Sequence, residues 1–212
     1  LGSGSEEVIA ALEAHLLHTL SHRIRVTNLN LQIRRNQVES TTPDSIPVLG
    51  GSRSTDLSAC AGSLLAAHPG MNARVADLQR ILESGEIRDL ADGEILCDQG
   101  EASEWLYFLL AGAIDVDYAD LQGSRTRVGS ETAPAVLGHI GLIDRTRRGA
   151  RCTSRASCRI IQLHSEAFWS LMRDTSGAGT ALRRLLLSSR RCGLPPPLHG
   201  IHDPTPLRPD RY

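Results

Sequence analysis

The chain has 212 residues, 41% of them hydrophobic, with a formal net charge of −1. That length allows one good core and a second, smaller unit. The near-neutral balance excludes non-specific nucleic-acid binding, which needs a basic face against phosphates. Aromatic residues make up 3%, so the core must be aliphatic, and every basic side chain except histidine is an arginine. Ser5-Glu6-Glu7 reads as a helix start, with a serine cap and acids at the positive end of the dipole. Val8, Ile9, Leu12, Leu16 and Leu20 follow at helical spacing. Ile24 and Val26, alternating with Arg23 and Arg25, predict a short strand, and Leu31, Ile33 and Val38 a second helix. Residues 41–54, with Pro43, Pro47, Gly50 and Gly51, read as a linker.

A helix is expected over 55–67, closed by Pro69-Gly70, and another over 72–83 with Val75, Leu78, Ile81 and Leu82 on one face and Gly85 as its stop. From Gly85 to about Leu163, short apolar segments alternate with turn residues, which predicts a compact all-β unit. The candidate strands are 95–97, 105–110, 113–118, 125–128 and 158–163. Helices are expected over 165–173, with Phe168, Leu171 and Met172 inward, and over 179–191, with Leu182, Leu185 and Leu186 inward. The tail, 193–212, is proline-rich and reads as extended or disordered.

The cysteines are Cys60, Cys97, Cys152, Cys158 and Cys192. None are at C-x-x-C spacing, so the sequence supports neither a zinc site nor a redox pair, and reduced thiols in a cytoplasmic compartment are expected. His15, His18 and His22 share a helical face, which reads as a surface-exposed polar face rather than a metal site. There is no signal-peptide pattern and no apolar run near the roughly 20 residues that span a bilayer. The chain begins with Leu1, so it reads as a piece of something longer. No phosphate loop and no nucleophile–base motif appears, so no catalytic residue is assigned and no enzyme is expected.

Gly93, Gly100 and Gly112 punctuate the β region as turn glycines. Their stretch, DGEILCDQGEASEWLYFLLAGAIDV (92–116), resembles the first half of a cyclic-nucleotide-binding domain of the catabolite-activator type. The likeness lies in Gly93-Glu94, Gly100-Glu101 and Tyr107 through Gly112. LGHIGLIDRTRRGARCTSRASCRIIQL (137–163) is similar to that family's phosphate-binding cassette. The fold the resemblance implies is α+β: an antiparallel, jelly-roll-like β-roll with flanking helices over 55–192, preceded by a small α/β fragment.

It also implies a site. An arginine fork pairs with phosphate oxygens, a helix start offers free amides, and small residues let the backbone approach. By resemblance, Arg148 holds the phosphate, and Gly138, Gly149 and Ala150 line it with backbone. His139 and Ile140 stand at the start of the short helix. The family's carboxylate for the ribose hydroxyl is replaced here by His139, a weaker acceptor. The implied ligand is cAMP or cGMP; a fold retained without its ligand stays an open alternative. Arg145, Arg147, Arg151, Arg155 and Arg159 read as a solvated face, and Glu94, Glu101 and Glu104 as turn and surface acids.

Residues 5–40, chiefly IRVTNLNLQIRRNQV (24–38), resemble the later part of a STAS domain, assigned to 1–40. That order implies the cytosolic C-terminal part of a sulfate-permease-type anion transporter, with the membrane domain in the same parent chain and the module cytoplasmic at the cytosolic membrane face. An amphipathic helix with a short α/β appendage is the other reading of 5–40. A catabolite-activator-type transcription regulator lacking its reading head, and a structural domain with a degenerate pocket, are the alternatives for the whole.

Overall fold

A computed structural model of the chain describes residues 7–13, 15–19 and 55–189. The expected strand at 24–26, the helix at 31–38, the linker and the tail lie outside the described residues. Residues 7–13 and 15–19 are helical (α1), as the 8, 9, 12, 16 spacing predicts. Leu17 is the α1 side chain that reaches the core, while Val8, Ile9, Leu12 and Leu16 are exposed. Helix α2 (Leu57–Ala67) is capped by Asp56, whose Oδ1 accepts from the amides of Ser58 and Ala59 at 2.9 and 3.1 Å. Helix α3 (Val75–Glu83) starts three residues later than expected, because Arg74 is held extended as its N-cap residue. Ser84 is its C-cap residue and Gly85 is not a left-handed stop. Gly85 instead lies so close to β8 that a Cβ would stand 2.5 Å from Ile161 Cγ2.

Eight strands follow: β1 (Glu86–Leu90), β2 (Ile95–Cys97), β3 (Trp105–Ala111), β4 (Ala113–Ala119), β5 (Arg125–Thr132), β6 (Ala135–Leu137), β7 (Arg151–Ser154) and β8 (Cys158–His164). A short helix, α4 (His139–Ile143), separates β6 from β7, and α5 (Ser165–Arg173) and α6 (Gly177–Ser189) follow β8. The strands form two antiparallel sheets, ordered β1-β8-β3-β6 and β2-β7-β4-β5. This is the antiparallel β-roll with flanking helices that the resemblance implies. Strands β1, β6 and β7 are additions to the sequence-based expectation; EIRDL and RCTS are too polar, and AVL too short, to announce themselves.

Strand alternation divides the core in two. Leu106, Phe108, Val136, Ile161 and Leu163 face the helices and pack with Leu64, Leu78, Ile81, Phe168, Leu182 and Leu185. Tyr107, Leu109, Leu137, Cys158 and Ile160 face the opposite sheet, against Leu96, Cys97, Ile114 and Cys152. Each such aliphatic or aromatic burial stabilises by about 1.5–3 kcal/mol. Gly93, Gly100 and Gly112 have φ of 75°, 87° and 91°, so the three turn glycines do adopt the left-handed conformation. Among the described residues, no helix is long and apolar enough to cross a membrane.

Candidate functional site

Strand β6 ends at Leu137, and Gly138 turns the chain with φ 82° into α4. After α4 the chain loops back through 144–150 to β7, and this loop carries Arg148. Two backbone bonds pin the loop to the β2–β3 turn: Arg148 N donates to Glu101 O, and Gly100 N donates to Arg148 O, both at 2.9 Å. The Arg148 side chain then runs inward and is 5% exposed. Its Nη1 donates to Gly138 O at 2.9 Å and its Nη2 to Trp105 O at 2.5 Å. Its Cζ sits 5.1 Å from the centroid of the Tyr107 ring, a cation–π arrangement. A side chain at Gly138 would collide with Arg148 Nη1, so glycine serves here for both φ and space.

What Arg148 lacks is a carboxylate. Among the described residues no acid pairs with it, and its buried Nε makes no hydrogen bond. The neighbouring arginines differ. Arg159 pairs with Asp89 at 2.6 Å, Arg151 with Asp98, and Arg155 with Asp115 at 3.7 Å. Arg147 Nη1 donates to Gly100 O at 2.8 Å, and Arg145 lies 4.9 Å over the Trp169 ring. Arg145 and Arg147 are exposed, as the solvated-face reading expects, while Arg151, Arg155 and Arg159 are half-buried and paired with acids. Arg151 and its neighbours in turn hold the Asp98 carboxyl down at about 2.

A cavity of about 420 Å³ opens beside Trp105 and Tyr107, the two residues that contact Arg148. Arg88, Leu96, Glu101, Ala102, Glu104 and Gln162 complete its lining. The volume falls in the range of ligand pockets, about 300–1,000 Å³. Arg88 is itself engaged, donating to Glu94 at 2.6 Å. Glu94 also accepts from Ala91 N at 2.8 Å, and that bond, then Arg88, lowers its carboxyl below the usual range. Glu101 accepts from Asp98 N at 2.9 Å, so both acids close turns, as expected.

The structure thus brings Gly138 and Arg148 into contact, with Gly149 exposed and Ala150 half-buried directly after. His139 is buried and Ile140 half-buried on α4, and neither lines the cavity. Arg88 and Gln162 line it although the sequence did not single them out; the signal available was a lone polar residue in the apolar run CRIIQL. The described cysteines are free thiols, as the reduced-thiol reading expects. Cys97 and Cys152, remote in sequence, stand opposite each other in β2 and β7. Among the described residues no group of three or more histidine, cysteine or acidic side chains could hold a metal. His18 borders a second cavity of about 260 Å³ with Ile143, Trp169 and Met172, and His22 lies outside the described residues.

Comparison with known proteins agrees with this architecture. The Cyclic nucleotide-binding domain family model matches residues 87–175, so a domain of that kind occupies this part of the chain. No curated protein matches. Among solved structures, the chain is similar to a cyclic nucleotide-binding domain from Methylobacillus flagellatus KT, at 18% identity and TM-score 0.55, over 64% of this chain and 80% of that one. It is also similar to the regulatory subunit of a cAMP-independent protein kinase A from Trypanosoma cruzi bound to guanosine, at 18% identity and TM-score 0.52, over 66% and 46% of the two chains. A third is the regulatory domain of Toxoplasma gondii PKA with cAMP, at 19% identity and TM-score 0.51, over 59% and 47%. The chain spans about half the length of most of the structures it matches. At these identities the likeness concerns the fold.

Proposed function

We propose that the cyclic-nucleotide-binding domain at residues 87–175 is a non-catalytic regulatory module that takes the phosphate of a cyclic nucleotide, cAMP or cGMP, on Arg148. One observation carries the reading: Arg148 is 5% exposed and has no carboxylate partner among the described residues. A buried guanidinium is costly without a counter-charge. A cyclic phosphodiester supplies that charge and accepts from Nε. Gly138, Gly149 and Ala150 are the backbone around it, and His139 and Ile140 stand at the head of α4. The 420 Å³ space beside Tyr107 then takes the sugar and base.

Calorimetric titration of the chain with cAMP and cGMP tests this, beside an Arg148→Ala variant. Binding should weaken about ten- to hundredfold in the variant, because hydrogen bonds to charged groups contribute about 1.5–3 kcal/mol. No heat and no thermal stabilisation of the wild type by millimolar nucleotide would leave a structural domain with a degenerate pocket. The wider context we propose is the cytosolic C-terminal part of a sulfate-permease-type transporter. Its support is the STAS-like sequence at 5–40, and a structure of 1–54 lacking the helix–strand–helix order would remove it.

A further inference from the structure

Strands β2 and β7 each carry one cysteine, and the register pairs Cys97 directly with Cys152. Residues opposed in an antiparallel pair have Cα atoms about 4.5–5.5 Å apart. A disulfide needs about 4.4–6.8 Å between Cα atoms, a range that covers cross-strand partners. Both side chains belong to the apolar cluster between the sheets, so they point to the same face. The Cys97 neighbour, and then burial, pushes the Cys152 thiol up, while the Cys152 neighbour and the nearby Arg148 charge lower Cys97. Cys97 lies on the edge strand β2 and Cys152 on the inner strand β7, so Cys97 meets an oxidant first.

Both thiols are free and buried. Their cover is slight, because β2 is three residues long, lies at the edge of its sheet, bonds only to β7 and carries a register shift beside Cys97. Such an edge opens at a small fraction of the global unfolding free energy. The other described cysteines are not competitors. Cys60 is pushed up by burial and lies on α2, and Cys158 Sγ donates to the carbonyls of Ala113 and Ala156 at 3.2 Å.

We propose that Cys97 and Cys152 form a redox-active pair that closes reversibly to a disulfide across β2 and β7, with a low-molecular-weight disulfide as the oxidant. The Cys97 thiolate attacks one sulfur of the small disulfide, whose S–S bond breaks and releases one small thiolate. The Cys152 thiol gives up its proton and attacks Cys97 Sγ, expelling the second small thiol. One S–S bond is broken and one formed, and two protons and two electrons pass to the small disulfide. The cross-link ties together the two segments that hold Arg148, since Gly100 and Glu101 follow Cys97 and bond to the Arg148 backbone.

The test uses the full chain in buffers of varied glutathione to glutathione-disulfide ratio, read by thiol alkylation, intact mass and peptide mapping. No nucleotide is present, so its outcome does not depend on the ligand reading. Wild type should lose two alkylatable thiols and yield one linked peptide pair containing Cys97 and Cys152, reopened by reductant. Cys152→Ala should instead trap glutathione on Cys97, and Cys97→Ala should leave Cys152 unreacted; far-UV circular dichroism checks that each variant is folded. If both variants unfold, the wild-type peptide map decides alone. Stable glutathione on Cys97 of the wild type, a link through another cysteine, or no reaction at any ratio in a natively folded chain would overturn the proposal.

Discussion

Replacing Arg148 by methionine separates a ligand-holding arginine from a structural one. The change removes the bonds to Gly138 O at 2.9 Å and Trp105 O at 2.5 Å, and the contact with the Tyr107 ring. Hydrogen bonds from a charged donor contribute about 1.5–3 kcal/mol each, which sets the loss at several kcal/mol. The same change removes a guanidinium that is 5% exposed and faces no carboxylate among the described residues. Its desolvation costs several kcal/mol, and methionine fills much of its volume. The two effects are of one size and opposite sign, so the ligand-free variant should unfold within about 1 kcal/mol of wild type. Urea unfolding followed by the fluorescence of Trp105 and Trp169 measures it. With cAMP at about a hundredfold excess over the wild-type Kd, wild type should gain about 2.7 kcal/mol and the variant, binding about ten- to hundredfold more weakly, about 0.4–1.4 kcal/mol. A ligand-free loss of about 3 kcal/mol or more would refute the reasoning, because Arg148 would then be a clamp between β3 and Gly138.

Arg183→Met should behave in the opposite way. Arg183 is 1% exposed and donates to Glu13 at 2.8 Å, to Met172 O and Asp174 O at 3.1 and 2.8 Å, and to Thr180. Its loss leaves Glu13 only the longer contact with Arg184 at 3.7 Å and should cost about 3 kcal/mol in urea unfolding; a near-neutral result would mean the α1–α6 link does not hold in solution. Gly112→Ala should cost more than Gly123→Ala by thermal melting. Both have positive φ, worth about 1–2 kcal/mol against a side chain, but only at Gly112 would a Cβ meet neighbours, Cys158 Sγ at 2.6 Å and Ser157 O at 2.9 Å. Equal effects would place the β3–β4 turn further from β8. Asp98 is held at about 2, chiefly by its bond from Arg151. Its folded value lies below the unfolded one, so the stabilisation is present above about pH 4 and is lost as pH falls towards 2. Asp98→Asn should remove about 1 kcal/mol at neutral pH and flatten stability between pH 4 and 2; an unchanged slope would assign that acid loss to other carboxylates.

Much of the fold was legible because its signals are local. Phe168 and Met172 at helical spacing set α5 at the expected residues, and the apolar runs 105–110 and 158–163 are β3 and β8, the middle of their sheet. Three glycines marked three turns that need positive φ. Strands with weak local patterns escaped: β7 has two polar and two small residues, and only its pairing with β2 and β4 makes it a strand. Helix starts shifted by two or three residues; at α3 the N-cap residue, Arg74, is extended and makes no side-chain cap, so residue type did not mark it. At the site, Gly138 and Arg148 could be matched to a motif, but the arginine partners could not be read. Asp89 and Arg159 are far apart in the chain and adjacent in β1 and β8. The same holds for Cys97 and Cys152, whose spacing carries no pairing signal and which the register sets opposite each other.

The two buried arginines show where the structure is complete and where it is open. Both are deep, 1% and 5% exposed, and both reach backbone carbonyls. Arg183 adds a carboxylate and a hydroxyl, so its charge is balanced within the chain. Arg148 adds the face of Tyr107, which lines the cavity, and its buried Nε has no hydrogen-bond partner among the described residues. Balancing Arg148 internally would take one carboxylate, and the acids nearest it in the fold are employed elsewhere: Glu101 closes the β2–β3 turn and Asp98 holds Arg151. On the function proposed above, an anion from outside completes the site. The cysteine pair lies at the same corner, on the strands whose turn and loop grip the Arg148 backbone. A disulfide there would act on the loop that carries Arg148, through the backbone bonds of Gly100 and Glu101.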